Sequence, residues 1–220
     1  MNFDLNLLNE MLGVDNVSLD EPEAEEQKKS VDTYKNNLRH FVRHVKRAEL
    51  GKKPLEFEKG ACYHFLSFGD IDALTYLRAI VKQQPLEYLF VSTWRVTIED
   101  LEELKDWIVS GRIKRVDFYL GNNYLKKHHE IYTYILENCL VDNARVVIFK
   151  NHSKVMAGFG RDFDFSIAGS ANLNHSTPQC EQVTVTIDSG LAKFYKNFYD
   201  DVKSLLPDCD DWQPYDLGDR

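Results

Sequence analysis

The sequence is poor in the features that would place it in several large classes. Only four cysteines occur in 220 residues, at 62, 139, 180 and 209, and no two form a Cys-x-x-Cys pair. That spacing argues against a zinc site and against a disulfide framework, and it fits a reducing, cytoplasmic setting. No apolar run approaches the length of a membrane span, so no membrane partner is expected. The opening residues Met1-Asn2-Phe3-Asp4 lack the basic lead and pure apolar segment of a secretion signal. No internal repeat is visible. Basic charge is also scarce overall, with 27 Lys and Arg against 35 Asp and Glu, a net charge of −8.

That deficit is unevenly placed. Residues 1–34 hold nine acids and two bases, and residues 206–220 hold five acids and one base. The remainder carries 24 bases and 21 acids, so the middle of the chain is compatible with a polyanionic partner despite the acidic total. Hydrophobic residues make up 43%, enough to build the core of one domain with appended ends.

The expected organisation has three parts. Residues 1–30 form an acidic, partly disordered extension that opens with a short apolar helix over 3–12, a possible docking element for a protein partner or a terminal helix packing on its own domain. Residues 31–206 form the main domain. Residues 207–220 form a loose acidic tail, in which Trp212 is the one residue suited to anchoring. Within the main domain, residues 31–50 fit an amphipathic helix, with Tyr34, Leu38, Phe41, Val42 and Val45 at helical spacing. Lys35, Arg39, Arg43, Lys46 and Arg47 line its other face. Such a stripe is a solvated helix face or, beside a phosphate-handling site, a track for a nucleic-acid backbone.

From residue 61 onward strands and helices alternate. Strands are expected near 61–68, 86–94, 114–120 and 143–150. Helices are expected from 71 to 82 with Asp70 as N-cap, from 98 to 110 after Thr97, and up to Cys139. This order implies an α/β fold with a largely parallel sheet covered by helices on both faces. After 151 the pattern changes to a hairpin, 153–159 and 163–168, then a strand over 182–187. A last helix over 191–206 follows, whose buried face is expected to carry Leu191, Phe194, Tyr195, Phe198 and Val202.

The chemistry-bearing residues cluster at 152–181. His152 and Lys154 are two apart, which on a strand puts both on one face. Gly169-Ser170-Ala171-Asn172 follows, where a glycine allows close backbone approach to a ligand and Ser170 and Asn172 supply donors. Glu181 opens the next strand, placed to return to His152 and fix its tautomer. Singly, these read as a surface lysine, turn formers and a satisfied histidine. Trp94 and Arg95 end a strand where ligands bind in sheets of this kind, so they suit stacking or phosphate contact as well as helix-start packing. His64, inside an apolar strand, reads as structural.

Together, His152-x-Lys154, Gly169-Ser170-x-Asn172 and Glu181 resemble the phospholipase D superfamily and its His-Lys-Asp motif over about residues 60–205. The resemblance implies a phospholipase D-like mixed sheet and a metal-independent phosphodiesterase with no cofactor. It makes His152 the nucleophile of a phosphohistidine intermediate, with Glu181 orienting it. It also makes Lys154, Ser170 and Asn172 the phosphate ligands. The chain has one such motif, and single-motif members pair two copies across a twofold axis, so a homodimer is implied. Small members of this kind mostly cut DNA. A weakly catalytic nucleic-acid-binding or scaffold protein and a lipid or small-diester hydrolase are the alternatives. One position departs from the pattern: Phe159 stands where the family places aspartate, and neither Asp162 nor Asp164 is at that spacing.

Overall fold

A computed structural model describes residues 38–43, 55–68, 71–125, 127–141, 143–173, 180–206 and 212–218. Leu38–Arg220 forms one unit; Met1–Asn37, which includes the expected 1–30 extension and its apolar helix, lies outside the described residues.

Eight strands form one sheet: β1 (Leu38–Arg43), β2 (Ala61–Phe68), β3 (Leu86–Thr93), β4 (Val116–Gly121), β5 (Val146–Phe149), β6 (Val155–Gly160), β7 (Asp164–Gly169) and β8 (Cys180–Thr186). Their spatial order is β1-β2-β8-β7-β6-β3-β4-β5. The α/β class and the helices on both faces stand as expected, but the sheet is evenly mixed rather than largely parallel. The pairs β1–β2, β3–β4 and β4–β5 are parallel, whereas β2–β8, β3–β6, β6–β7 and β7–β8 are antiparallel. The reason is connectivity. Helical crossovers join β2 to β5, and a parallel neighbour needs such a crossover, while the tight turn at 161–163 returns β7 antiparallel along β6.

Four α-helices are described: α1 (Ala73–Gln83), α2 (Ile98–Val109), α3 (His129–Asn138) and α4 (Ser189–Asp200). Asp72 rather than Asp70 caps α1, its carboxylate accepting from the Thr75 amide at 2.7 Å. Thr97 and Asp100 complete a reciprocal capping box on α2. Leu74, Leu77 and Ile80 of α1, Leu101 and Leu104 of α2 and Ile131 and Ile135 of α3 join the larger core with Phe65, Val91, Phe118 and Val185 of the sheet. On the opposite face Ala192 and Tyr199 of α4 pack with Phe90, Tyr119, Ala157 and Phe159.

Three expectations are corrected. Residues 38–43 form a strand parallel to β2, not part of a helix. Leu38, Phe41 and Val42 keep helical spacing, but pairing along the free edge of β2 overrides that local pattern. On α4, Phe194 and Phe198 are 65% and 60% exposed, whereas Lys196 is only 4% exposed. The Lys196 ammonium lies 5.4 Å from the Tyr88 ring centroid and 2.6 Å from Asp200, so a neutralised lysine takes the place of an apolar contact. The C-terminal segment is docked at Trp212–Leu217. Arg145 sits 3.5 Å from the Trp212 ring, the indole N–H donates to Asp117 at 3.2 Å, and Tyr215 stacks on Tyr88 at 4.9 Å. No helix among the described residues is long and apolar enough to cross a membrane.

Candidate active site

Four adjacent strands contribute one end each to a single opening. The end of β3 lies beside the start of β6, because Ser92 pairs with Val155. Val155 pairs in turn with Ala168 near the end of β7, and Gly169 pairs with Val183 near the start of β8. Strand direction therefore gathers residues 92–94, 151–155, 169–172 and 180–181 in one place. A cavity of about 580 Å³ opens there. Its walls include His152, Lys154, Ser170, Asn172 and Glu181, all five residues singled out by spacing, together with Trp94 and Cys180.

His152 and Lys154 reach this cavity by a route other than strand alternation. β6 begins only at Val155, and residues 151–154 are irregular. Asn151 organises them from below. Its buried carboxamide donates to Ser92 Oγ and to the Tyr119 carbonyl, both at 2.9 Å. Its Oδ1 accepts from the Ser153 amide at 2.8 Å and from the Ser153 hydroxyl at 2.6 Å, an Asx turn. Ser153 Oγ also lies 2.7 Å from both Ser92 Oγ and Tyr199 Oη. With both neighbours pinned, His152 is held outward, exposed at the cavity. Its imidazole rests against Trp94, with ring centroids 5.0 Å apart at 45°. Lys154 Nζ donates to the His152 carbonyl at 3.1 Å. Burial lowers the Lys154 pKa from the ordinary value of 10.5, against an opposing pull from the Glu181 carboxylate.

The second half of the cavity is set by β7 and β8. Gly169 is required by the neighbouring strand rather than by a ligand: a Cβ there would stand 2.1 Å from the Gln182 carbonyl oxygen. Ser170 continues the contact, its amide donating to the Gln182 carbonyl at 2.9 Å and its Oγ accepting from the Gln182 amide at 2.9 Å. The Ser170 hydroxyl donates to the Glu181 carboxylate. Glu181 is thus engaged with Ser170 as well as being electrostatically felt by Lys154. Asn172 is fixed by its carbonyl, which accepts from the first helical amide of α1, Ala73, at 3.2 Å. Its Oδ1 is buried with no hydrogen-bond partner among the described residues, so one end of this carboxamide is left for a ligand.

Phe159 is fully buried beside Tyr88, at a ring separation of 6.0 Å, and a carboxylate there would sit in apolar surroundings. Asp164 accepts from Ser189 at 2.6 Å, Asp162 is exposed, and neither lines the cavity. His64 lies on β2, with Nδ1 3.2 Å from Thr184 Oγ1 and Nε2 3.5 Å from Cys62 Sγ. No group of three or more His, Cys, Asp and Glu suited to a metal occurs among the described residues. Of the expected nucleic-acid contacts, Arg39 and Arg43 occupy β1 positions paired with Cys62 and Leu66, and Lys35, Lys46 and Arg47 lie outside the described residues. Asn151, Ser153 and Tyr199 were missed by sequence reasoning. The Asn-x-Ser spacing around His152 is a local signal for the Asx turn, whereas nothing local marks Tyr199, which comes from α4.

No family model matches the sequence, and no curated protein matches it. Several solved structures are similar in part. NucT from Helicobacter pylori is 17% identical, with 63% of this chain and 93% of that chain covered at a TM-score of 0.45. Phosphatidylserine synthase from Haemophilus influenzae Rd KW20 is 13% identical, with 82% and 46% covered at a TM-score of 0.42. TrmBL2, an archaeal chromatin protein, is 12% identical, with 88% and 62% covered, also at 0.42. These likenesses are loose, and the chemistry is read from the cavity itself.

Proposed function

We propose that this protein is a phospholipase D-type phosphodiesterase that cleaves nucleic acid, DNA foremost, with His152 as nucleophile. The observation that carries the reading is the convergence of His152, Lys154, Ser170, Asn172 and Glu181 on one open cavity from three separate chain segments, with Trp94 added from a fourth. An exposed imidazole held in place by its two neighbours is a nucleophile presented to solvent. The adjacent ammonium and carboxamide supply positive charge and hydrogen bonds for a phosphate whose charge grows in the transition state.

In this scheme a ring nitrogen of His152 bonds to phosphorus while the bond from phosphorus to the leaving oxygen breaks. A second imidazole, protonated, gives its proton to that oxygen. The same imidazole then removes a proton from water, which attacks the phosphohistidine, releases the phosphomonoester and restores His152. Among the described residues no second histidine lines the cavity, so we assign that role to His152 of a second copy in a twofold homodimer. Light scattering at working concentration is expected to show a dimer; a monomer that remains active would remove this part of the scheme.

Plasmid, single-stranded DNA, RNA and phosphatidylcholine vesicles, each with and without EDTA, separate the possibilities. EDTA-resistant cleavage of DNA that vanishes in His152→Ala is the expected result. Cleavage of the lipid alone would redirect the substrate assignment. One observation favours a second reading, a weakly catalytic nucleic-acid-binding protein: Phe159 fills the position of the family's aspartate with a buried ring. DNA binding without cleavage of any substrate would establish that alternative.

A further inference from the structure

The turn after β3 is tied down on both sides. Thr93 Oγ1 donates to the Arg95 carbonyl at 2.9 Å and accepts from the Arg95 amide at 3.3 Å. The next amide, Val96, donates to the buried Tyr124 hydroxyl at 2.9 Å. Two consecutive side chains on this fixed turn open into two different cavities. Trp94 walls the His152 cavity. Arg95 lines a second cavity, of about 220 Å³, together with Tyr124, His128 and Glu130.

One cation of this second cavity is open to an anion. Arg95 is exposed, and among the described residues its guanidinium has no ion-pair partner. The one acid lining the cavity, Glu130, lies 3.7 Å from His128 Nδ1. His128 in turn lies against Tyr124, with ring centroids 5.7 Å apart. A guanidinium on a tethered turn, beside an aromatic wall, is the arrangement by which proteins hold a nucleic-acid strand.

We propose that this second cavity, whose Arg95 directly follows Trp94 on the same turn, binds the phosphate next along the substrate from the one at His152. The substrate is then a phosphodiester chain rather than an isolated diester such as a lipid headgroup. This rests on the phosphodiesterase reading of the His152 cavity. It assigns Arg95 to substrate binding and not to bond cleavage.

The test has two arms. In the first, a fluorescein-labelled single-stranded oligonucleotide is titrated by anisotropy against the full chain carrying His152→Ala, with and without Arg95→Ala. Removing the arginine is expected to weaken binding on the order of tenfold, the worth of one charge-assisted contact. The slope of log affinity against log salt should become shallower by about 0.7, as for one lost single-strand phosphate contact. Arg95→Lys should recover part of the loss. In the second arm, turnover of the oligonucleotide is compared with turnover of bis(p-nitrophenyl) phosphate. Arg95→Ala should lose on the order of tenfold more on the chain than on the small diester, mainly through KM. Unchanged affinity and salt slope, or equal losses on both substrates, would overturn the assignment. If the wild-type protein turns over neither substrate, the phosphodiesterase reading fails, and the anisotropy arm still decides whether Arg95 holds a strand.

Discussion

The imidazole of His152 and the indole of Trp94 pack together at 5.0 Å, and the glycine behind the indole makes that possible. A Cβ on Gly121 would lie 2.8 Å from Trp94 Cε3 and 2.5 Å from Asn123 Oδ1. Trp94→Ala removes the surface against which His152 rests. The expected result is a drop in kcat of about tenfold or more, as small misplacements of a reacting group cost rate steeply. Gly121→Ala should produce a milder version of the same defect by pushing the indole. Activity assays alongside a thermal melt check both; loss of rate at unchanged Tm in Trp94→Ala is the diagnostic outcome.

Asn151 should matter to both stability and rate. Four hydrogen bonds converge on its side chain, and its substitution by Ala leaves Ser92, Ser153 and the Tyr119 carbonyl short of partners in a buried place. The cost is expected to be about 2–4 kcal/mol, since each orphaned buried group costs roughly 1–3 kcal/mol and part of it relaxes. Urea unfolding measures the loss. A variant that unfolds at the wild-type denaturant midpoint would show that this network holds nothing in place.

How far the sequence anticipated the site depends on the kind of signal. His152, Lys154, Ser170, Asn172 and Glu181 were legible because each carries its chemistry in its own side chain and all lie within thirty residues. Their support was legible only in part: Trp94 stood out as a stacking residue, but neither its contact with His152 from the turn after β3 nor Tyr199 reaching Ser153 from a helix 46 residues away could be read locally. The core strands were readable from apolar runs, since burial on both faces leaves little ambiguity. Residues 38–43 were misread, since Leu38, Phe41 and Val42 keep helical spacing and only pairing with the free edge of β2, a non-local contact, overrides it. Phe194 and Phe198 were misread for the opposite reason. Lys196 can lie against the sheet only because Asp200 neutralises it, a pairing that apolar periodicity does not count.

Gly169→Ala should be among the most damaging single-methyl additions in the chain. The added Cβ would meet backbone, at 2.1 Å from the Gln182 oxygen, and backbone in a paired strand cannot swing aside as a side-chain end can. Separation of β7 from β8 at this point would also pull Ser170 from Glu181. The expected cost is about 3 kcal/mol or more, the upper end for overpacking. Gly190→Ala is the comparison, since its nearest atom would be the tip of the Asp188 side chain at 3.2 Å. Thermal melts of the two variants should differ by several degrees, with Gly169→Ala far lower.

Trp212 is expected to be structural despite standing near the end of the chain. It covers the guanidinium of Arg145, and its N–H reaches the fully buried Asp117. Trp212→Ala forfeits a desolvated cation–π contact of about 2 kcal/mol and exposes buried charge to water. Trp212→Phe keeps the ring face and loses the donor, so it should fall between. Denaturant midpoints in the order wild type, Phe, Ala check this; equal midpoints for all three would mean that the docked segment contributes nothing to stability.

The pH profile offers a test of Lys154 that does not depend on deleting it. Burial disfavours its ammonium and lowers its pKa below 10.5, with Glu181 opposing. If the charged form holds the phosphate, activity is full below this lowered pKa and is lost as pH rises through it. The alkaline limb should therefore fall at lower pH than an ordinary lysine would give. Lys154→Arg keeps the charge at every accessible pH, so the surviving activity of that variant should lack the limb, even though its overall rate drops because the guanidinium does not fit the same space. Glu181→Gln removes the opposing carboxylate, and the limb should move further toward neutrality. Rate profiles of the wild type and the two variants, fitted between neutrality and the onset of alkaline unfolding, decide the point: a limb that stays fixed in all three proteins belongs to some other group, and Lys154 would then have no part in binding through its charge.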